Sequence, residues 1–348
     1  MKSFLILVLT VLVTISSTAQ SSKAIWELYN RKQYAQTIES GLKALKRQPH
    51  NGEINLVVGR SYFDIQQYEK AIHHLSLSTK ANNLDWVQGW AYNYLGRCYG
   101  ELKDKQTAQR YLKECITLNA TKNSVASSKR HLNSLKTNEY LETWYKYETK
   151  HLIFHFQDTS AIKNIQNYMR DREMAYETIN AFFLARPLKK IDYYIWAKPN
   201  DAKKLLGRTL GWASTKTCII HSSIHQTRGH EITHILCFYG MKPTFQSRLI
   251  NEGIAVYFDQ TNRDRMKVAQ KHLNGQKLDV LNYWENPKDK RDEYNYTVGG
   301  ALIEYLYEHG NDEQMKALLA HQSIEAAKKI YPAFDQIMDE FQQELNNR

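Results

Sequence analysis

The residues best equipped for chemistry are His230, Glu231 and His234, in the run His230-Glu231-Ile232-Thr233-His234. On a helix, positions i and i+4 project from one face a turn apart, so the two imidazoles can bind one ion. Glu231 is displaced around the helix. It is badly placed to ligate the same ion but can reach a water beside it, which makes it the candidate general base. A hydrolytic zinc centre also needs a third protein ligand and one open position. The spacing of Ile224, Ile232, Ile235, Leu236 and Phe238 predicts a helix around the motif. Ser223 with Gln226 three residues on offers a capping-box start, and Gly240 with Pro243 a stop.

Eighteen residues beyond His234 lies Glu252, inside the run Leu249 to Phe258. That run reads as a second amphipathic helix, which can fold back after a turn at Gly240 to Thr244 and deliver a carboxylate to the metal. Asn251-Glu252-Gly253-Ile254-Ala255 together with the histidine motif resembles the gluzincin peptidases, the clan of thermolysin and its aminopeptidase relatives, whose third ligand comes from a motif like NEGxA. The resemblance implies one Zn²⁺ held by His230, His234 and Glu252, with Glu231 as base. The spacer of 17 residues between His234 and Glu252 is one short of the usual aminopeptidase length.

The same clan places a tyrosine on a later helix, where its hydroxyl supports the tetrahedral oxyanion. The segment Tyr296-Thr297-Val298-Gly299-Gly300-Ala301 looks like that setting, so the resemblance implies Tyr296 as the donor, with Tyr294 as the competitor. The aminopeptidases carry an acidic GxMEN segment before the zinc helix. The corresponding stretch here, Leu210 to Thr217, has no acidic residue, which disfavours an aminopeptidase and leaves an edge strand on which an extended substrate could lie. The overall order is similar to the bacterial peptidase MA-like proteins from about Tyr147 onward. Four further residues have milder readings. His221 and His225 are spaced i, i+4, but the expected cap falls between them. His155 reads as a packed strand histidine, and Asp259 as a solvated acid or an orienter of a ligand.

Around these residues, His151 to Phe156 and Ile191 to Trp196 alternate as strands, Thr217 to Ile220 is a third strand candidate, and 161–183 has helical periodicity. The remainder to Arg348 is mainly helical. Upstream, Gln33-Tyr34-Ala35-Gln36-Thr37-Ile38 returns as Gln67-Tyr68-Glu69-Lys70-Ala71-Ile72, a shift of 34 residues, with a looser third copy at Lys105 to Ala108. This segment resembles tetratricopeptide repeats, helix hairpins that stack into a surface for a protein or peptide. Gly59 and Gly96 fall where partner helices must come close.

The expected fold class is α+β: a tetratricopeptide-like helical repeat over 20–138, then a thermolysin-like (gluzincin) domain over 139–348, with a small sheet and a mainly helical C-terminal half. Residues 1–19, with Lys2 ahead of an apolar run and Ser17-Thr18-Ala19 after it, read as a signal peptide. The mature chain is then expected outside the cytoplasm, periplasmic or secreted, with no membrane span. Cys98, Cys115, Cys218 and Cys237 are too scattered for a disulfide framework and read as packing residues. The formal charge of +11 is spread through both halves without a basic stripe, so a nucleic-acid partner is not expected. The expected activity is an exported zinc endopeptidase acting on a peptide or protein, with the repeat holding a partner or bracing the catalytic domain. The alternative is a non-catalytic scaffold with a residual metal site.

Overall fold

The computed structural model describes residues 22–80, 82–286 and 293–347, and the expected signal peptide lies outside them. The chain divides into two compact units, Met1–Glu142 and Thr143–Arg348.

The first unit is helical. A segment over 22–30 is followed by α1 (Tyr34–Leu45), α2 (Gly52–Asp64), α3 (Tyr68–Ser78), α4 (Asp85–Glu101), α5 (Lys105–Leu118) and α6 (Lys122–Glu142). The sequence repeat is a repeat of backbone conformation. Lys32, Gln66 and Lys103 each adopt left-handed φ values of 59°, 63° and 65°, and α1, α3 and α5 each start two residues later. Their spacing of 34 and then 37 residues matches the repeat period and its lengthening in the third copy. The hairpins close on Gly59 and Gly96: a Cβ there would lie 2.7 Å from Leu75 Cγ and 2.6 Å from Leu112 Cγ, respectively. Among the described residues of this unit, Arg60, Lys70, Arg97 and Arg110 ride on aromatic faces. The Arg60 guanidinium lies 4.7 to 5.4 Å from the rings of Trp26, Tyr29, Trp90 and Tyr94. Arg97 lies over Phe63 and Tyr94.

The second unit is α+β. Its sheet contains β1 (Tyr145–Glu148) and β2 (Leu152–Phe156), then, after α7 (Ile165–Phe183), β3 (Ile191–Trp196). Helix α8 (Pro199–Leu206), β4 (Trp212–Ser214) and β5 (Ile219–Ser223) follow. The order is β1-β2-β3-β5-β4, with β2, β3 and β5 parallel and the two outer strands antiparallel. Alternation along the strands makes two faces. One buries Leu152, Phe154, Phe156, Ile191, Tyr193 and Ile195 with Ile179 and Phe183 of α7. The other carries a row of rings in register across four strands: His155 on Tyr194, Tyr194 on His221, and His221 on Trp212, at centroid distances of 4.2, 4.8 and 4.5 Å.

The remaining helices are α9 (His230–Met241), α10 (Arg248–Tyr257), α11 (Arg265–Leu273), α12 (Val280–Glu285), α13 (Glu293–Glu308), α14 (Asp312–Ala320), α15 (Ile324–Ile330) and α16 (Phe334–Asn346). Ile232, Ile235 and Leu236 of α9 enter the same core as α7 and the sheet. The start of α9 corrects the sequence reading. Ser223 is the last residue of β5, and its N–H donates to Gln226 Oε1 at 2.8 Å, so the capping-box pair forms within a turn. The helix begins after Gly229, excluding Ile224. It also runs one residue past Gly240 and closes on Lys242 in the left-handed conformation, φ 49°. Strand β1 was not foreseen; all four of its residues are exposed, so no burial pattern marks it.

Candidate metal centre

Helix α9 places His230 and His234 a turn apart, and α10, returning after the turn at Lys242, places Glu252 opposite them. Glu252 Oε2 lies 3.3 Å from His230 Nε2 and 3.3 Å from His234 Nε2. A tetrahedral ion with legs of about 2.0–2.1 Å sets its ligand atoms roughly 3.3–3.4 Å apart. Both carboxylate-to-imidazole separations therefore match a shared zinc ion, and all three ligand atoms lie within 4.8 Å of one another. Glu252 Oε2 is buried and has no hydrogen-bond partner that satisfies the geometry of such a bond, which fits an atom whose proper partner is a cation. The donor set of two imidazoles and a carboxylate suits zinc.

Protein groups alone already favour the charged pair. Burial works to raise the Glu252 carboxyl, but the imidazoles of His230 and His234, each 3.3 Å away, outweigh it and hold that carboxyl well below the usual carboxylate range. Burial works to lower His234, and the Glu252 carboxylate beside it outweighs this, so the imidazole sits above its ordinary value.

Glu231 is buried beside the cluster, and its Oε2 also has no hydrogen-bond partner. Burial raises its carboxyl above the ordinary value, more than the neighbouring imidazoles lower it. A carboxyl so perturbed, in a cleft and next to a cation site, is suited to accept a proton.

Tyr296 faces the same cleft from α13, its ring 5.7 Å from that of His230. Its phenol is hydrogen-bonded to Arg248, and burial raises it above the ordinary tyrosine value. Tyr294 points elsewhere: it is buried and its hydroxyl reaches Gln276 Oε1 at 3.5 Å. The packing of α10 on α13 that brings Glu252 and Tyr296 together runs through glycines, since a Cβ on Gly253 would lie 2.4 Å from the Gly299 carbonyl oxygen.

Asn251 and Arg248 were not given roles from sequence. The Asn251 amide nitrogen Nδ2 lies 3.2 Å from His234 Nδ1. The amide oxygen accepts from Gln246 Nε2 at 3.4 Å; when His234 Nε2 faces a cation its ring proton sits on Nδ1, and exchange of the two ends of the amide brings Oδ1 to that proton. The signal for both was helical spacing: Asn251 adjoins Glu252, and Arg248 precedes it by four.

The other candidates lie apart from the centre. His221 is buried in the aromatic row, where Trp196 Nε1 donates to its Nδ1 at 2.9 Å. His225 is in the turn before α9. His155 Nε2 pairs with Asp192 at 2.8 Å. Asp259 is not solvated: it is 3% exposed, its carboxylate accepts from Thr261 N and Oγ1 and pairs with Arg263 at 3.6 Å, and its carbonyl accepts from Gly229 N, next to His230. A second cluster, His151, Glu173 and Glu177, is spent internally. Glu173 takes bonds from Thr149 and from His151, and Glu177 pairs with Lys150.

The chain matches no protein-family model and no curated protein. The reading of this centre therefore stands on its geometry and on the motifs. No helix among the described residues is long and apolar enough to cross a membrane.

Proposed function

We propose that the chain is an exported zinc-dependent peptidase, an endopeptidase by mode. The observation that carries this is the pair of 3.3 Å separations from Glu252 Oε2 to the two imidazoles, with the buried, unpartnered Oε2 of Glu231 beside them. A zinc ion held by His230, His234 and Glu252 supplies Lewis acidity to a peptide carbonyl and to a water molecule.

The residues of the chain then divide the work. Glu231 takes a proton from the attacking water and can pass it to the departing amine, a role its burial favours by making the carboxyl more basic. Tyr296 donates its phenolic proton in a hydrogen bond to the oxygen that gains charge. Asn251 holds the His234 ring in orientation. The free edge of β4, outermost in the sheet and lining the cleft, offers backbone groups to an extended substrate. The helical hairpins of the first unit hold a protein partner or substrate, a reading supported by Arg60 and Arg97 on their aromatic platforms.

The test is to express the chain from Gln20 and measure bound metal together with cleavage of an unfolded protein mixture, comparing Glu231→Gln with the parent. One zinc in both proteins, with cleavage by the parent alone, supports the reading. A parent that binds no metal sinks it, and metal without cleavage turns it toward the scaffold alternative.

A further inference from the structure

The cleft over the metal centre, about 380 Å³, is unevenly charged. Its two acids, Glu231 and Glu252, belong to the centre itself. Its walls add three cations, Arg208, Lys216 and Arg248, and no other carboxylate. Arg248 is engaged by the Tyr296 phenol. Arg208 and Lys216 form no ion pair among the described residues. They bracket β4, Arg208 four residues before it and Lys216 two residues after it, and both are exposed.

Arg208 is restrained as well as charged. Its guanidinium lies 4.1 Å from the Trp212 ring centroid, and Trp212 ends the row of rings that crosses the sheet. A cation stacked in this way keeps its N–H donors free at the ring's edge while losing little freedom on binding a ligand. The basic charge of the chain as a whole does not account for this arrangement, because a merely solvated cation needs neither the platform nor the acid-free wall.

We propose that the cleft selects a peptide bearing a carboxylate close to the bond to be cut, gripped by Arg208 and Lys216 along the β4 edge. The carboxylate is either an acidic side chain or the substrate's own C-terminus. This inference rests on the peptidase reading for cleavage but makes a separate claim about binding.

The experiment uses the full mature chain loaded with zinc and one parent peptide made with Glu, Gln or Lys at the residues flanking the scissile bond, each with a free or an amidated C-terminus. The measurements are kcat/KM with the parent enzyme and dissociation constants with Glu231→Gln. A charge-assisted grip predicts about tenfold preference for Glu over Gln and more over Lys, weakening as salt is raised. If the free C-terminus is the recognised group, amidation lowers both readouts and the internal Glu does not. Arg208→Glu with Lys216→Glu, both at exposed positions, inverts the order in favour of Lys. Equal binding of the Glu, Gln and Lys peptides in both C-terminal forms overturns the inference, as does an unaltered order in the double variant. Preferential binding without cleavage by the parent sustains the inference and overturns the peptidase reading.

Discussion

Gly253 of α10 and Gly299 of α13 meet backbone to backbone: a Cβ on Gly253 would lie 2.4 Å from the Gly299 oxygen, and one on Gly299 would lie 2.5 Å from the Leu249 oxygen. Glu252 is the neighbour of the first glycine, and Tyr296 sits one turn before the second. The approach of the two helices therefore sets both side chains at once. Gly253→Ala, which must push backbone aside, is expected to cost about 2–3 kcal/mol of stability and to lower zinc affinity about tenfold. Denaturant unfolding and metal titration check this. A variant that retains both parent values would show that the contact does not position the site.

The two tyrosines of α13 are separable. Tyr296→Phe should keep its zinc and lose about a hundredfold in kcat, because only the oxyanion donor is removed. Tyr294→Phe, whose hydroxyl lies away from the cleft, should stay close to the parent. Kinetics on one peptide decide between them, and equal losses in the two variants would remove Tyr296 from its role.

Asn251 touches the proposed ligand set at His234. Asn251→Ala is expected to weaken zinc binding by about ten to a hundredfold, measured by competition with a chelator. Asn251→Asp, whose side chain can only accept and so suits an Nδ1–H, should recover most of the loss. No loss in the alanine variant would make the contact incidental.

His221 gives the fold an acid-sensitive point. Burial, with smaller contributions from Arg208 and His155, lowers its imidazole from 6.5 to about 4. The Trp196 indole N–H already occupies Nδ1, where the second proton would go. As pH falls through 6.5, the unfolded chain takes up that proton before the folded chain does. The stabilisation is thus complete above 6.5 and is lost between 6.5 and about 4, by about 3 kcal/mol. His221→Asn retains an acceptor for the indole and does not titrate, so its melting temperature should fall less over that interval. Parallel melting curves for the two proteins across pH 7 to 4 would exclude the assignment.

Sequence spacing was informative where chemistry is local. The i, i+4 imidazoles, Glu252 in its apolar run and the strand Ile191–Trp196 are all read from side-chain periodicity that the backbone reproduces. The Ser223–Gln226 pair was recognised as a contact but assigned to the wrong element, because the same side chain-to-backbone bond closes a turn as well as a helix. Strand β1 and the burial of Asp259 depend on neighbours distant in sequence. Tyr145 to Glu148 join the sheet by pairing with β2, where the Tyr147 ring meets Phe156 edge-on, and Asp259 is buried just after α10, where its carbonyl accepts from Gly229 N. Arg208 is likewise invisible as a cleft residue until β4 is placed beside β5.

The four thiols are each buried to within 1% of full enclosure and unbridged. Enclosure pushes those of Cys98 and Cys237 up to about 12, so almost none of the reactive thiolate forms at neutral pH. The native state is therefore insensitive to the redox potential of its surroundings, and a thiol reagent can enter only when the chain opens. With two cysteines in each unit, the rate of labelling is a clock of local opening that can be read for the hairpins and for the metal-centre unit separately.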